Sequence, residues 1–494
     1  MSRLIRPVAL ALTLATVSFA QDTAPASLPV LTLEEVVAQA LDQNFSLEIQ
    51  RFSSETAAAA VDVADADYDP RFQVTASTGV TQQAQPSSTL DGVTSVGPRS
   101  DTGNIRAGVS QKIVTGATVE AGANLRRSKS NSRNALLNPA YNSDVSLSVS
   151  QPLLRGFGKS INQAAIARAR LGVERADLDF KSAVLDVVRN VEAAYFNLAF
   201  ARQQLAVREF SLNVAQELLN ENEAKRETGV ATDLDVLQAQ VGVANANRNV
   251  LLAQQTVSDR EDALKALISR FELDQPLGPI ELGEISVPSV SFDRSYQLAR
   301  TNRPDYASTA LSVEQLRLDE RTAKNSRKAT LDLGADVGLN SIDGNAGDST
   351  SNVWNGDGYS WQVDLQLIVP WGFRAEKARH AQAVAALGRE ETRLVQLEQS
   401  IMVDVRAAIR SVQTNAESLR ISQLATQLSQ DQFDLEKARF DAGLSTFRRV
   451  QEAQEDLDTA RVNELQAAVA LRVAQADLAR LEGSSLARYS IELE

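Results

Sequence analysis

One pattern occurs twice in this chain and constrains what it can become. Thr228-Gly229-Val230-Ala231-Thr232 followed by Val236-Leu237-Gln238-Ala239-Gln240 returns as Ala442-Gly443-Leu444-Ser445-Thr446 followed by Val450-Gln451-Glu452-Ala453-Gln454, 214 residues later. The same offset pairs Val191 with Val405, Ala193-Ala194 with Ala407-Ala408, and Leu264 with Leu478. A second offset of 259 sets Ala40-Leu41-Asp42-Gln43-Asn44 beside Ala299-Arg300-Thr301-Asn302-Arg303. Both halves read as short helix, strand region, long helix, turn and second long helix, with the longer strand region in the first half. A length of 494 residues would by itself suggest about three domains. The duplication replaces that count with one unit present twice.

The helical arms are too long for an ordinary globular domain. Residues 161–227 contain no proline, and only Gly172 interrupts good helix formers. Val184, Val191, Leu198, Leu205, Leu212 and Leu219 recur every seven residues, as do Val236, Val243, Val250, Val257 and Leu264 after the turn. The second half repeats this with Val405, Val412, Leu419, Phe433 and Phe440, then Val450, Leu457, Leu471 and Leu478. A sustained seven-residue repeat imposes coiled-coil packing. At 1.5 Å per residue the first arm reaches on the order of 100 Å. The companion seam positions are small or polar (Ala194, Ala201, Arg208, Ala215; Ala408, Asn415, Ser422, Ser429), which suits helices set side by side in a tube wall.

Between the short and long helices lie segments of period two: Phe72-Val74-Ala76, Ile105-Ala107-Val109, Val119-Ala121-Ala123-Leu125 and Val145-Leu147-Val149. The second half adds Leu331-Leu333-Ala335-Val337-Leu339 and Trp361-Val363-Leu365-Leu367-Val369. Runs of about 9–11 residues with one apolar and one polar face are what a membrane β-barrel requires. Polar loops at 82–102 and 341–357 separate them. Trp354, Tyr359, Trp361 and Trp371 cluster at or near the ends of one strand, as aromatics at a membrane interface do. Residues 1–20 carry Arg3 and Arg6, a short apolar run and Ser18-Phe19-Ala20, the pattern of a secretory leader. One chain offers four to six strands, fewer than the eight of the smallest single-chain barrels, so several copies must share one barrel.

Composition closes other routes. There is no Cys and one His (His380), which removes disulfides, thiolate metal sites, a cysteine nucleophile and a lipid-anchoring cysteine. A net charge of -13 disfavours phosphate-tracking nucleic-acid binding. The Gly158-Lys159-Ser160 tripeptide resembles the tail of a phosphate loop, but Leu153 stands where its first glycine is required. Asp343, Asn345 and Asp348 lack the glycine and closing glutamate of a calcium loop. His380 reads as a helix-surface residue. No catalytic cluster, cofactor or metal site is indicated.

The arrangement resembles the TolC family of outer-membrane efflux ducts over nearly the whole mature chain. Carrying the resemblance are Leu31-Thr32-Leu33-Glu34-Glu35 with Ala40-Leu41, Asn302-Arg303-Pro304-Asp305, Gln151-Pro152-Leu153-Leu154-Arg155-Gly156, Val369-Pro370-Trp371-Gly372 and the two glycine turns. The resemblance implies a mainly α chain with membrane β: tandem long helical hairpins forming an α-barrel, and strands contributing to a shared trimeric outer-membrane β-barrel. Expected segments are a leader (1–20), an N-terminal segment with equatorial helix (21–70), strands (71–151), a helical hairpin (152–271), a linker with equatorial helix (272–329), strands (330–370), a second hairpin (371–483) and a tail (484–494). The expected function is a passive export duct through periplasm and outer membrane, in a tripartite efflux or type I secretion system. A pore-less periplasmic coiled-coil protein is the alternative.

Expected partners are two further copies, outer-membrane lipid, a periplasmic adaptor and an inner-membrane pump of RND, ABC or MFS type. The resemblance assigns adaptor contact to Gly229, Val230, Ala231 and Thr232 and to Gly443, Leu444, Ser445 and Thr446. It assigns the pore gate to Asp235, Arg449, Glu452 and Phe440, with an Asp235–Arg449 (or Arg448) latch. Relatives usually contribute four strands per chain. Here Ile105–Leu125, turning at Thr115-Gly116, reads as an additional hairpin that could enlarge the barrel, extend a loop or replace a strand.

Overall fold

The computed structural model describes residues 30–84, 97–132, 134–229, 232–269, 274, 277–280, 283, 286, 289–356 and 358–491. The leader and two tip residues, Val230 and Ala231, lie outside the described residues. The first half runs α1 (Leu33–Gln43), α2 (Phe45–Asp65), β1 (Arg71–Gln82), β2 (Arg99–Lys112), β3 (Thr118–Ser130), β4 (Ala140–Pro152), α3 (Lys159–Asn162), α4 (Ala164–Glu227) and α5 (Asp233–Ile268). The second runs α6 (Phe292–Asn302), α7 (Pro304–Ser326), β5 (Thr330–Asp343), α8 (Ala346–Asn352), β6 (Gly358–Ile368), α9 (Arg374–Asp441), α10 (Phe447–Glu482) and α11 (Ser485–Arg488). Both offsets survive in space. α5 and α10 are each 36 residues long and start 214 apart, while α1 and α6 are each 11 and start 259 apart.

Local chemistry sets the boundaries. Thr32 and Glu35 form a reciprocal capping box at α1, and the Asn44 side chain accepts from Ser46 N at 2.9 Å to start α2. Pro304 occupies the first position of α7, where its missing N–H costs nothing. With 64 and 68 residues, α4 and α9 are each about 100 Å long. Among the described residues no helix is long and apolar enough to cross a membrane.

The heptad positions build the seams. Val184, Val191 and Leu198 of α4, Val405 and Val412 of α9, and Val450, Leu457 and Leu471 of α10 are almost fully buried. The spacing fails in the later stretch of α4, and in α5 Val243 and Val257 are half-buried. Leu205, Leu212 and Leu219 are only half-buried, and Val214 and Leu218 take their place. A straight helix drifts about 20° per heptad, so a strict seven-residue rule loses the seam after two or three turns of the pattern. α4 packs on α5 and α10, and α9 packs on α10, giving the lateral order α5–α4–α10–α9. Arg189 pairs with Asp477 at 2.6 Å and Arg480 with Asp186, joining the two repeats through α4 and α10.

The strands form one antiparallel sheet in the order β1-β2-β3-β4-β5-β6. The Ile105–Leu125 hairpin is therefore neither a loop nor a substitute, since β2 and β3 pair continuously inside the sheet. The 341–357 segment, expected as a loop, contains α8. Asn345 caps it (2.9 Å from Gly347 N), and the buried Ser349 hydroxyl donates to Tyr141 O at 2.9 Å, with Ser341 O at 3.2 Å beside it. His380 is also placed differently from expectation. It lies half-buried, with Nε2 2.8 Å from Glu320 Oε1, and links α9 to α7.

Candidate channel wall and helical tips

Register fixes which side chains share a face, because neighbours across a strand pair point the same way. One row crosses the whole sheet as Phe72, Val109, Ala121, Leu147, Val337 and Trp361. The next runs Val74, Ala107, Ala123, Val145, Leu339 and Tyr359. On the reverse face lie Thr75, Arg106, Asn124, Asp144 and Asn340, with Asn124 Nδ2 donating to Asp144 Oδ1 at 2.8 Å. All six strands thus carry one apolar and one polar face. In the single chain both are open, with Phe72 and Trp361 each 72% exposed. Trp354, Tyr359 and Trp371 are likewise exposed, Trp354 in the turn before β6 and Trp371 just after it.

The sheet is open. Among the described residues neither β1 nor β6 pairs on its outer side. In the helical layer α5 packs chiefly on α4 and α9 chiefly on α10, so α5 and α9 are the outer members of the α5–α4–α10–α9 order. α5 exposes Leu234, Leu237 and Val241, and α9 exposes Leu424, Leu428 and Leu435, each at helical spacing. These stripes were missed by reading the sequence for the strongest seam. Their three- and four-residue spacing beside that seam was the available signal.

At the tips Gly229 and Gly443 both have φ +76°, a left-handed conformation that glycine adopts without a Cβ penalty. Each donates its N–H at 3.0 Å to the residue three before it, Arg226 and Phe440. Leu444 projects with 75% exposure, and Ser445 Oγ donates to Glu436 Oε2 at 2.7 Å. Thr232 and Thr446 are the N-caps of α5 and α10.

The assigned gate residues sit apart within one chain. Asp235 Oδ2 accepts from Thr232 Oγ1 at 2.6 Å and Thr232 N at 2.9 Å, and these bonds hold its carboxyl below the usual range. Arg448 pairs with Glu452 at 2.9 Å along α10. Among the described residues there is no ion pair between Asp235 and Arg449. Phe440 is buried with Phe433, Phe447 and Val450, the Lys225 ammonium lying 3.5 Å from its ring centroid. A cleft of about 310 Å³ opens between α4, α5 and α10 above the turns, lined by Arg208, Asn245, Gln451 and Asp458. Burial raises the Asp458 carboxyl, which Ser211 and Gln454 partly offset by hydrogen bonding.

Glu192 was also missed. Its side chain is 1% exposed on α4, where Oε1 accepts from Tyr489 Oη at 2.5 Å and Arg488 Nη1 at 3.3 Å. The partners are almost 300 residues away, beyond the reach of any local pattern.

The family profile described as "Outer membrane efflux protein" matches residues 117–270 and 295–484. The pyoverdine export outer membrane protein OpmQ of Pseudomonas aeruginosa is 25% identical over 335 residues, covering 65% of this chain and 64% of that protein. The match therefore spans just under two thirds of this relative's length. Among solved structures, the outer-membrane channel OprN aligns with a TM-score of 0.69 at 18% identity, over 92% of this chain and 90% of that one. The CmeC outer membrane channel of Campylobacter jejuni aligns at 0.66 and 17%, over 96% and 94%.

Proposed function

Since this chain belongs to the outer membrane efflux protein family, we propose that three copies close into a passive duct through the outer membrane and periplasm. It is not an enzyme; its family is one of efflux channels. The observation that carries the reading is the pair of bare flanks. Lipid does not tolerate an open sheet edge. β1 of one copy on β6 of the next, with α5 on α9, would satisfy strand and helix layers in one heterologous, ring-closing contact. The apolar strand face would then meet lipid, and the polar face would line water.

The strands would form the outer-membrane section, the helical hairpins the periplasmic tube, and α1, α2, α6 and α7 a belt between them. The leader supplies export. Gly229 to Thr232 and Gly443 to Thr446 would present the tips to a periplasmic adaptor, itself joined to an inner-membrane pump of RND, ABC or MFS type. Asp235, Arg449, Glu452 and Phe440 would surround the constriction, with the Asp235–Arg449 latch forming only on ring closure. OpmQ carries pyoverdine export in its name. For this duct the pump would select the cargo, since the wall touches it only loosely.

The pore-less coiled-coil reading is disfavoured by six strands with an exposed apolar face. The test is native mass in detergent. A complex of three chains of 53.4 kDa, about 160 kDa less the leaders, is expected. A detergent-free soluble monomer would overturn the proposal.

A further inference from the structure

We infer that β2 and β3 widen the outer-membrane barrel to eighteen strands, so that its bore matches the helical tube and passes cargo of macromolecular width. This rests on the trimeric reading above. Three copies of a six-stranded sheet give eighteen strands, where relatives with four per chain give twelve. With strands about 4.8 Å apart and tilted about 40°, the backbone radius is about 18 Å for eighteen strands and about 12 Å for twelve. The tube wall holds four long helices per chain. Twelve helices about 9.5 Å apart place their axes at a radius of about 18 Å. The wider barrel continues the tube at constant width, whereas a narrower one would throttle it.

Three observations place the hairpin in the wall rather than on its surface. β2 and β3 are 14 and 13 residues long, full spanning lengths, and pair with β1 over Arg99–Ser110 and with β4 over Thr118–Ser128. Their apolar rows continue those of the other four strands without a break. Their connecting turn is also built into the strand-to-helix junction. Gly116 (φ +99°) leaves no room for a side chain, since a Cβ there would lie 2.5 Å from Gly156 O. Thr115 O accepts from Gly158 N at 3.1 Å, and Thr115 Oγ1 donates to Gln151 Oε1 at 2.9 Å.

The hairpin is also separable. β1 and β4 run antiparallel once it is removed, and the row order puts Phe72 opposite Leu147 and Val74 opposite Val145. Side-chain facing is unchanged by the loss of two strands, so deletion of residues 99–130 leaves a four-stranded contribution with its apolar face intact.

The experiment compares the full mature chain with the 99–130 deletion in planar bilayers, adding polyethylene glycols from the extracellular side so that the periplasmic constriction does not limit entry. Side chains fill about 5 Å inside the wall, leaving bores of about 13 and 7 Å radius. A polymer of about 10 Å hydrodynamic radius should enter the full chain's mouth and be excluded by the deletion. If both form trimeric pores with the same cut-off, the widening is wrong and the trimeric duct stands. If the full chain forms no pore, the duct itself fails. Should the deletion variant not assemble, a facing pair decides. Ala123→Arg on the apolar row should abolish heat-stable trimers in outer-membrane fractions, while Gly122→Arg on the polar row should retain them. Equal tolerance of both would place β3 outside the wall and overturn the inference.

Discussion

Replacing Tyr489 with Phe isolates the contact that fastens the C-terminal tail to the longest helix of the first repeat. Burial raises the Tyr489 phenol first, and the adjacent Glu192 charge raises it further, so the hydroxyl is a donor at every physiological pH. Glu192 Oε1 receives it at 2.5 Å, while Oε2 is buried with no hydrogen-bond partner among the described residues. Arg488, half-exposed at 3.3 Å, is a weaker second donor. Losing a hydrogen bond to a buried charged group costs about 2 kcal/mol. Opening of residues 484–491 from α4 should become about thirtyfold more frequent. Hydrogen exchange reads this at the amides of Tyr489 and Ile491, which bond to Ser485 O and Leu486 O.

The pH dependence has a definite sign. Desolvation raises the Glu192 carboxyl above its ordinary value despite the two donors. The docked state therefore binds a proton more readily than the open one. Docking strengthens as pH falls through the raised value toward about 4.5, and the penalty is fully present above it. Tail protection in the native chain should rise over that window, and in Glu192→Gln it should stay flat. Exchange within twofold of the native chain in Tyr489→Phe, or an unaltered pH profile in Glu192→Gln, would refute the assignment of tail docking to this contact.

Other outcomes follow from the same contacts. Leu198→Ala empties a fully buried seam position and should cost about 3 kcal/mol, read as a lowered urea midpoint of the helical region. Thr232→Ala removes the α5 cap at a cost of about 1 kcal/mol, so proteolysis should begin at the first tip. Asp235→Ala combined with Arg449→Ala should raise single-channel conductance, and unchanged conductance would exclude the latch. Leu444→Glu should weaken adaptor cross-linking while leaving the native mass unaltered, because this side chain projects free of the chain's own core.

Much of the architecture was legible because the constraints are periodic. Seven-residue spacing fixed Val191, Leu198, Val405 and Leu457 as seam residues, and two-residue alternation fixed the facing of Phe72, Val145 and Trp361. The seam beyond Leu205 was misplaced where helix geometry departs from the repeat. Strand number was undecidable from alternation alone, since inserted and original strands look identical until their pairing is known. α8 was hidden by a Gly/Ser/Asn-rich composition that reads as loop, yet Asn345 and Ser349 give it a cap and an anchor. The Glu192–Tyr489 contact, the half-buried His380 and the inward placement of Phe440 depend on partners remote in sequence. The proposed gate has no signature in one chain either: Asp235 is held by Thr232 and Arg448 by Glu452, and on the proposed ring closure the constriction would lie between copies.

Single-channel recording of the purified mature protein in a planar bilayer tests that closure most directly. Stable stepwise conductance from a three-chain complex is the result expected of a duct whose sheet and helical flanks seal against one another. Protein that inserts without discrete conductance steps, or does not insert, would contradict it.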